Sequence, residues 1–242
     1  GSRIAINRWV EDRTNEKIED LIPSGVINSL TRIILTNAVY FKGSWAHQFN
    51  ESETLMGDFI VDKNKKVRVP MMFLDGDFRY CEGDEAQVIE LPYEGENISM
   101  IIVLPKCDMD DFEGSMSYEK LMEFEDSLSK RDVDVYLPRF TLRESLDLNE
   151  CLKEMGMELA FSDEADLSGM TGNMDLSISD VIHQTFVEVN EKGTEAAAAT
   201  AVIIEKTSIS IPTVFRADHP FIFLIQNEGN ILFVGRVVNS ST

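Results

Sequence analysis

The hydrophobic positions of the chain recur with a helical period in three regions. From Arg3 to Ile22, apolar residues return every three or four positions, with a break at Thr14-Asn15, which predicts a helix followed by a shorter helical turn. The same spacing occurs in 118–128 and in 146–155, and Gly156 stands where a left-handed C-terminal cap would fall. Three helical regions are therefore predicted.

Strand-like segments are more numerous than helical ones. Residues 33–41 are dense in Ile, Leu, Val and Tyr and stop before Gly43, which predicts a strand buried on both faces at the centre of a sheet. Turn residues such as Asp75-Gly76 and Glu94-Gly95 separate shorter apolar runs, a texture typical of a β-meander. The further predicted strands are 59–61, 67–72, 87–91, 100–104, 133–137 and 181–190.

The end of the chain carries a hairpin pattern. Residues 221–225 and 231–238 are apolar and are joined by the polar residues 227–230, which predicts two antiparallel strands in the core. No repeat, linker or change in composition marks a second domain. The whole chain, 1–242, is therefore predicted to be a single α+β domain with more sheet than helix.

The composition restricts the partners. The chain has 43 Asp and Glu residues against 22 Lys and Arg, and the net charge of −21 repels phosphate backbones and anionic lipid surfaces. The longest apolar runs are far too short to cross a bilayer, and the first residues lack the pattern of a signal peptide. No nucleic acid and no membrane partner is expected. The charge indicates either a well-solvated surface or an acidic face that attracts a basic partner protein.

No arrangement of residues typical of an enzyme is found. The three histidines, at 47, 183 and 219, lie far apart, and the sequence contains no Walker, GxGxxG, GxSxG or HExxH motif. Three cysteines without CxxC spacing argue against both a disulfide framework and a zinc site. We therefore expect no catalytic residues, no metal and no cofactor.

Three glycosylation sequons leave the localisation open. They begin at Asn50, Asn97 and Asn239, but the motif is short enough to arise often by chance. Both an extracellular and a cytoplasmic location are compatible with the sequence.

One segment does not fit an ordinary domain. Residues 191–202, Glu-Lys-Gly-Thr-Glu-Ala-Ala-Ala-Ala-Thr-Ala-Val, precede a β-branched run that ends at Pro212. Alanine favours a helix, but the segment lacks the large apolar residues that would pack such a helix and has no cap before the β-branched run. Small side chains at every second position suit a strand that must slide between two existing strands. Those positions are Thr194, Ala196, Ala198 and Thr200.

Several blocks of the sequence, in the same order, resemble the serpin family of serine protease inhibitors. Residues 191–201 resemble the serpin hinge, and 215–221, which contain Ala-Asp-His-Pro-Phe, resemble the segment before the last two serpin strands. The loop spacing is similar to that of the intracellular, ovalbumin-type serpins. The other similar blocks are Asn37 to Trp45, Val69 to Met72, Leu137 to Phe140, Ala165 to Gly169 and Phe233 to Val238.

The resemblance implies a serpin fold with a large central β-sheet A, sheets B and C, helices and an exposed reactive-centre loop at about 191–212. It also implies a suicide-substrate inhibitor, in which a serine or cysteine protease cleaves the loop, forms an acyl-enzyme and is trapped when the loop inserts into the main sheet. Family spacing, counted from Gly193 and from Phe221, gives a reactive bond between Thr207 and Ser208. Threonine at that position suggests an elastase-like target, whereas Lys206 is compatible with a trypsin-like one.

The resemblance assigns roles to further residues. Asn37 and His183 match the shutter pair of the main sheet, and Trp45 matches the tryptophan of the breach, where the loop first enters. Arg139 replaces the commoner lysine that pairs with the hinge glutamate. The hinge residues are Glu191, Gly193, Thr194, Glu195, Ala196, Ala197, Ala198, Ala199, Thr200 and Ala201.

The sequence is compatible with more than one function within the family. Residues 194–201 are small except Glu195, and inhibitory members of the family also have Glu at that position. These small residues favour inhibition, because non-inhibitory serpins tend to carry charged or bulky hinge residues. The alternatives are a non-inhibitory carrier, chaperone or storage serpin, and an inactive fragment. The resemblance places the start of the chain at serpin helix F, so the N-terminal helices are expected to be missing from it. Either the remaining segment is present as a second chain, or this chain is one piece of a processed protein.

Overall fold

The structure, a computed structural model, describes residues 1–95, 97–194 and 212–239. They form two compact units. The first unit comprises 1–41 and 142–187, and the second comprises the described residues of 42–141 and 188–242. Both units combine helices with strands, so the α+β prediction is confirmed.

The described residues contain five α-helices and thirteen strands. The helices are α1 (Ser2–Arg13), α2 (Met109–Gly114), α3 (Tyr118–Ser127), α4 (Asn149–Leu152) and α5 (Ser168–Thr171). The strands are β1 (Ile33–Tyr40), β2 (Gly43–Ser44), β3 (Leu55–Asp62), β4 (Lys65–Glu82), β5 (Ala86–Pro92), β6 (Ile98–Pro105), β7 (Ser129–Pro138), β8 (Phe140–Asp147), β9 (Ile178–Val189), β10 (Gly193–Thr194), β11 (Thr213–Arg216), β12 (Phe221–Asn227) and β13 (Asn230–Val237). No helix within the described ranges is long and apolar enough to span a membrane.

The first unit is built on a three-stranded sheet in the order β1-β9-β8. β1 and β9 are parallel and pair directly from Ile33 opposite Ile178 to Tyr40 opposite Phe186. The turn after α1 is held by the Asn7 side chain, which donates to the Ile22 carbonyl and accepts from the Ile22 N–H at 3.0 and 2.9 Å. This closes a small core, which contains Val10, Ile18, Leu21, Ile22, Ile182 and Phe186.

The prediction that β1 is buried on both faces at the centre of a sheet is wrong for the described structure. β1 is one of the two edge strands of this sheet, and Leu35, Thr36 and Asn37 are exposed. A dense apolar run indicates that a strand can be buried, but it does not predict which elements cover that strand.

The second unit contains an eight-stranded sheet. Its order is β11-β7-β4-β5-β6-β12-β13, with β3 also paired to β4. β6 is buried along nearly its whole length, because β5 and β12 flank it and α2 and α3 pack against one face. The core under α2 and α3 contains Ala86, Val88, Ile101, Val103, Met109, Phe112, Leu121, Leu128, Ile222 and Leu224.

Two predicted element boundaries differ in the structure, and one special backbone position agrees with the prediction. Asp75-Gly76 is not a turn, because β4 runs through it for 18 residues and pairs there with β7. The helix predicted from residue 146 begins only at Asn149, since β8 continues to Asp147. Gly156 does adopt the predicted left-handed conformation, with φ of +99°.

The C-terminal hairpin forms as predicted, but only one of its strands is buried. β12 and β13 pair antiparallel around a turn in which Glu228 and Gly229 both have positive φ, +49° and +82°. β12 is buried from Phe221 to Gln226, whereas most of β13 is exposed, with Val234 at 70%. β13 is the last strand of this sheet in the described residues, so only β12 covers it laterally.

Candidate functional site

An ion pair anchors the start of the 191–212 segment. The Glu191 side chain is 4% exposed, and Arg139 Nε lies 2.7 and 2.8 Å from its two oxygens, with Arg139 Nη2 at 2.6 Å from one of them. The Thr54 hydroxyl donates to the same carboxylate. Burial alone would raise the pKa of Glu191, but the hydrogen bonds from Arg139 and Thr54 outweigh it and hold the pKa below its usual value. A charged carboxylate is therefore stable in this buried position.

A tight turn reverses the chain directly after β9. The Asn190 N–H donates to the Gly193 carbonyl at 2.9 Å and the Gly193 N–H to the Asn190 carbonyl at 3.1 Å, so the two residues form an antiparallel bridge. Beyond it, β10 pairs with β2, with Gly193 opposite Ser44 and Thr194 opposite Gly43. Gly193 has φ of +137°, and a Cβ atom there would lie 2.1 Å from the Gly43 oxygen. Only glycine fits this position.

Two stacked aromatic rings hold the turn through their polar atoms. Trp45 and Tyr93 are each 1% exposed, and their ring centroids are 4.4 Å apart with an interplanar angle of 14°. Trp45 Nε1 donates to the Asn190 carbonyl at 3.0 Å, and the Tyr93 hydroxyl is 3.0 Å from the Thr194 hydroxyl. Thr194 is fully buried. The two rings thus bind both ends of the turn.

The sequence pattern did not predict that Tyr93 belongs to the candidate site. It follows the predicted strand 87–91 and stands next to the turn residues Glu94-Gly95, where an isolated tyrosine is as compatible with the surface as with the core. Its neighbour Trp45 was identified only because it lies within a block that resembles a known family. Nothing local in the sequence pairs the two rings.

The predicted shutter residues lie in the first unit. Asn37 of β1 and His183 of β9 are opposite each other in the parallel register. Asn37 is exposed and His183 is half-buried. The structure therefore brings these two residues together on neighbouring strands.

Several predicted residues have no described position. Glu195, Ala196, Ala197, Ala198, Ala199, Thr200, Ala201, Lys206, Thr207 and Ser208 lie outside the described residues. Of the predicted hinge, the structure describes only Glu191, Gly193 and Thr194 and the Lys192 between them.

The remaining reactive side chains form no centre in the part of the chain that the structure describes. Cys81, Cys107 and Cys151 are free thiols. No group of three or more His, Cys, Asp or Glu residues in the described ranges is placed to hold a metal ion.

Known proteins resemble this chain along almost its whole length. The family model for Serpin (serine protease inhibitor) matches residues 2–240. Human Serpin B3 is 45% identical over 244 residues, covering 97% of this chain and 63% of that protein. The leukocyte elastase inhibitor of Bos taurus is 44% identical over 248 residues, covering 98% of this chain and 66% of the relative.

A solved structure shares the fold. Human thyroxine-binding globulin in complex with thyroxine has a TM-score of 0.89 and 32% identity, covering 99% of this chain and 64% of that one. This chain spans a little under two thirds of that structure and of Serpin B3. The α+β fold, the ordered sequence blocks and the match to residues 2–240 lead to one conclusion: the chain belongs to the serpin family and has the serpin fold.

Proposed function

We propose that the complete serpin inhibits serine proteases as a suicide substrate. The protease serine hydroxyl attacks the carbonyl carbon of Thr207, the peptide bond to Ser208 breaks, and the Ser208 nitrogen takes the proton. The product is an ester between the protease and Thr207. The loop then inserts between β1 and β9 and moves the attached enzyme, and the resulting distortion of the protease active site stops the hydrolysis of the ester.

The observation that carries this proposal is the turn between Asn190 and Gly193. It reverses the chain at the end of β9 with antiparallel hydrogen bonds, so a strand that continued beyond it would run antiparallel to β9. In that register Ala196 would face Val187, and Thr200 would face His183. Small residues then stand at the positions that must enter the sheet.

In the described residues, β1 and β9 are direct neighbours in the first sheet, which is the arrangement that an inserting strand would have to open. β1 pairs directly with β9 over eight residues, so insertion must break this parallel ladder and replace it with two antiparallel ones. Each inserted residue adds hydrogen bonds worth about 0.5 to 1.5 kcal/mol net, and a dozen residues release on the order of 10 kcal/mol. This free energy is sufficient to distort a protease active site.

The target class follows from the reactive bond. Threonine at 207 suits an elastase-like pocket for small side chains, and the similarity to a leukocyte elastase inhibitor points the same way. Cleavage after Lys206 by a trypsin-like enzyme is the competing outcome. Mass spectrometry of the released C-terminal peptide distinguishes the two bonds, since the fragments differ by one threonine.

The test mixes the complete serpin with elastase-, chymotrypsin- and trypsin-like proteases and examines the products by denaturing gel electrophoresis. An SDS-stable complex with an elastase-like enzyme is expected. The matched variant Ala198→Arg places a charged side chain on the inward face of the loop, so it is expected to be cleaved at the same bond without forming the complex.

Two results would contradict the proposal. One is cleavage of the unmodified serpin by every protease without any stable complex, which would favour a non-inhibitory carrier, chaperone or storage serpin. The other is equal complex formation by Ala198→Arg, because trapping would then not depend on loop insertion.

A further inference from the structure

The Tyr93 hydroxyl makes a hydrogen bond that the ion pair and the backbone turn do not explain. It lies 3.0 Å from the Thr194 hydroxyl, and both residues are at most 1% exposed. A hydrogen bond between two hydroxyls in so dry a place is stronger than one at the surface. Burial also raises the pKa of Tyr93, so the phenol keeps its proton and can donate it.

Thr194 occupies a special place along the chain. It is the first residue after the reversing turn, and it pairs with Gly43, only three residues beyond the last β1–β9 pair at Tyr40. Any strand that forms alongside β9 from this turn begins with Thr194. The orientation of its side chain therefore decides which face the following residues present.

The geometry points to Tyr93 as a positioning residue for loop insertion: its hydroxyl holds the Thr194 side chain so that the loop enters the sheet in a single register. This inference rests on the proposed inhibitory function. Trp45 supports the same role, because its indole N–H holds the Asn190 carbonyl at the other end of the turn. Tyr93 and Trp45 together fix the turn at both ends.

The register matters because side chains in a strand alternate between faces. A slip of one residue at Thr194 would move the small inward-facing set to the opposite face and bring Glu195 inward. Insertion would then stall, and the acyl-enzyme would be hydrolysed before the protease is displaced. Loss of the Tyr93 hydroxyl is thus expected to divert the reaction from trapping to simple cleavage.

The test measures how many molecules of the complete serpin are consumed for each protease molecule trapped. Tyr93→Phe and Thr194→Val each remove one hydroxyl with little change in shape, and each is expected to raise this stoichiometry roughly 2- to 10-fold. Thr194→Ser keeps the hydroxyl and is expected to behave as the unmodified serpin. The rate constant for the initial cleavage should stay unchanged in all variants.

A double-variant cycle identifies the hydrogen bond itself. Tyr93→Phe combined with Thr194→Val should give the same stoichiometry as either single change, because the bond can be lost only once. Tyr80→Phe is the matched control, since it removes a hydroxyl that bonds to Glu82 and Gln87 in the same unit, away from the turn. It is expected to leave the stoichiometry unchanged.

The outcomes separate this inference from the proposed function. If the unmodified serpin traps no protease and its melting temperature does not rise after the loop is cleaved, both fail. If it traps protease but Tyr93→Phe has an unchanged stoichiometry, or if Tyr80→Phe raises it equally, only the role of Tyr93 is overturned. Additive effects in the double variant would also overturn it.

Discussion

The carboxylate of Glu191 is held in a buried position by groups from two other parts of the second unit. Arg139 directly follows β7 and Thr54 directly precedes β3, so the ion pair and the hydroxyl hydrogen bond together attach the turn to the ends of two strands. A buried carboxylate that loses its cation is strongly unfavourable. The hinge is therefore sensitive to the charge at one residue.

Glu191→Lys is expected to place two like charges side by side and to lower the free energy of unfolding by about 3 kcal/mol. Freed from its anchor, the hinge should allow polymers to form when the complete serpin is heated, which native gel electrophoresis measures. Glu94→Lys makes the same charge change at an exposed position and is the control. An unchanged yield of monomer in Glu191→Lys would contradict the role of the ion pair.

His219 predicts a pH dependence of stability. Its hydrogen bond with Asp218 at 2.9 Å raises the pKa of His219 against the opposing effect of burial, and the Pro105 carbonyl, 2.8 Å from Nε2, raises it further. The stabilising contribution is therefore complete below about pH 6.5 and is lost as the pH rises through the folded-state pKa.

Urea unfolding at pH 6 and pH 9 checks this expectation. His219→Gln should lower the stability more at pH 6 than at pH 9, because only the protonated imidazole donates to both oxygens. His47→Gln, which removes an imidazole packed edge-on against Phe78, is the comparison. If His219→Gln lowered the free energy of unfolding equally at both pH values, protonation of His219 would not contribute to the stability.

At the scale of elements, the turn after β9 depends on a conformation that only glycine adopts. Gly193→Ala is expected to cost about 3 kcal/mol or more, since it combines an unfavourable φ with a clash against the Gly43 oxygen. Gly229→Ala is the matched control: it has φ of +82° but nothing within 4 Å of the added Cβ, so it should cost about 1 kcal/mol. Chemical unfolding measures both, and equal losses would mean that the close approach to Gly43 is relieved by a small shift.

The sequence pattern predicts the existence of most elements but not their ends. Residues 181–190 and the 221–238 hairpin are found nearly as predicted, because they alternate or cluster apolar residues between clear turn signals. Asp75-Gly76 misleads, since its turn propensity is outweighed by continuous pairing of β4 with β7.

The candidate site was only partly predictable from the sequence, because some of its contacts join residues that are far apart along the chain. Glu191, Arg139, Gly193 and Trp45 lie in blocks that resemble the serpin family, so their roles were expected. The contact between Tyr93 and Thr194 joins residues 101 positions apart, and no local pattern encodes such a pairing. The pairing of β10 with β2 and the bridge between Trp45 and Tyr93 bring the two residues together.

At the scale of the whole molecule, the exposed apolar residues of β13 predict self-association of this 242-residue chain in isolation. Ile231, Leu232 and Val234 are 41%, 48% and 70% exposed, and a groove of about 530 Å³ between α3 and β13 is also lined with apolar side chains. Apolar patches of this kind promote aggregation.

Size-exclusion chromatography of the purified chain is expected to show oligomers at micromolar concentration. Val234→Lys should shift the chain toward monomer, because it places a charge within the exposed strand. Val214→Lys changes an apolar residue that is also exposed, at 48%, but lies on β11 rather than β13, and is the control. The prediction would be contradicted if the unmodified chain were monomeric. An equal effect of both variants would show that the self-association surface is not specific to β13.

The length of β4 has a consequence for how the second unit opens. Its residues pair with β3 from Lys65 to Met71, with β7 from Met71 to Tyr80 and with β5 from Arg79 to Glu82. Melting of this one strand therefore removes hydrogen bonds from three others at once. In amide hydrogen exchange, the protected amides of these four strands should share a common opening free energy and behave as a single foldon.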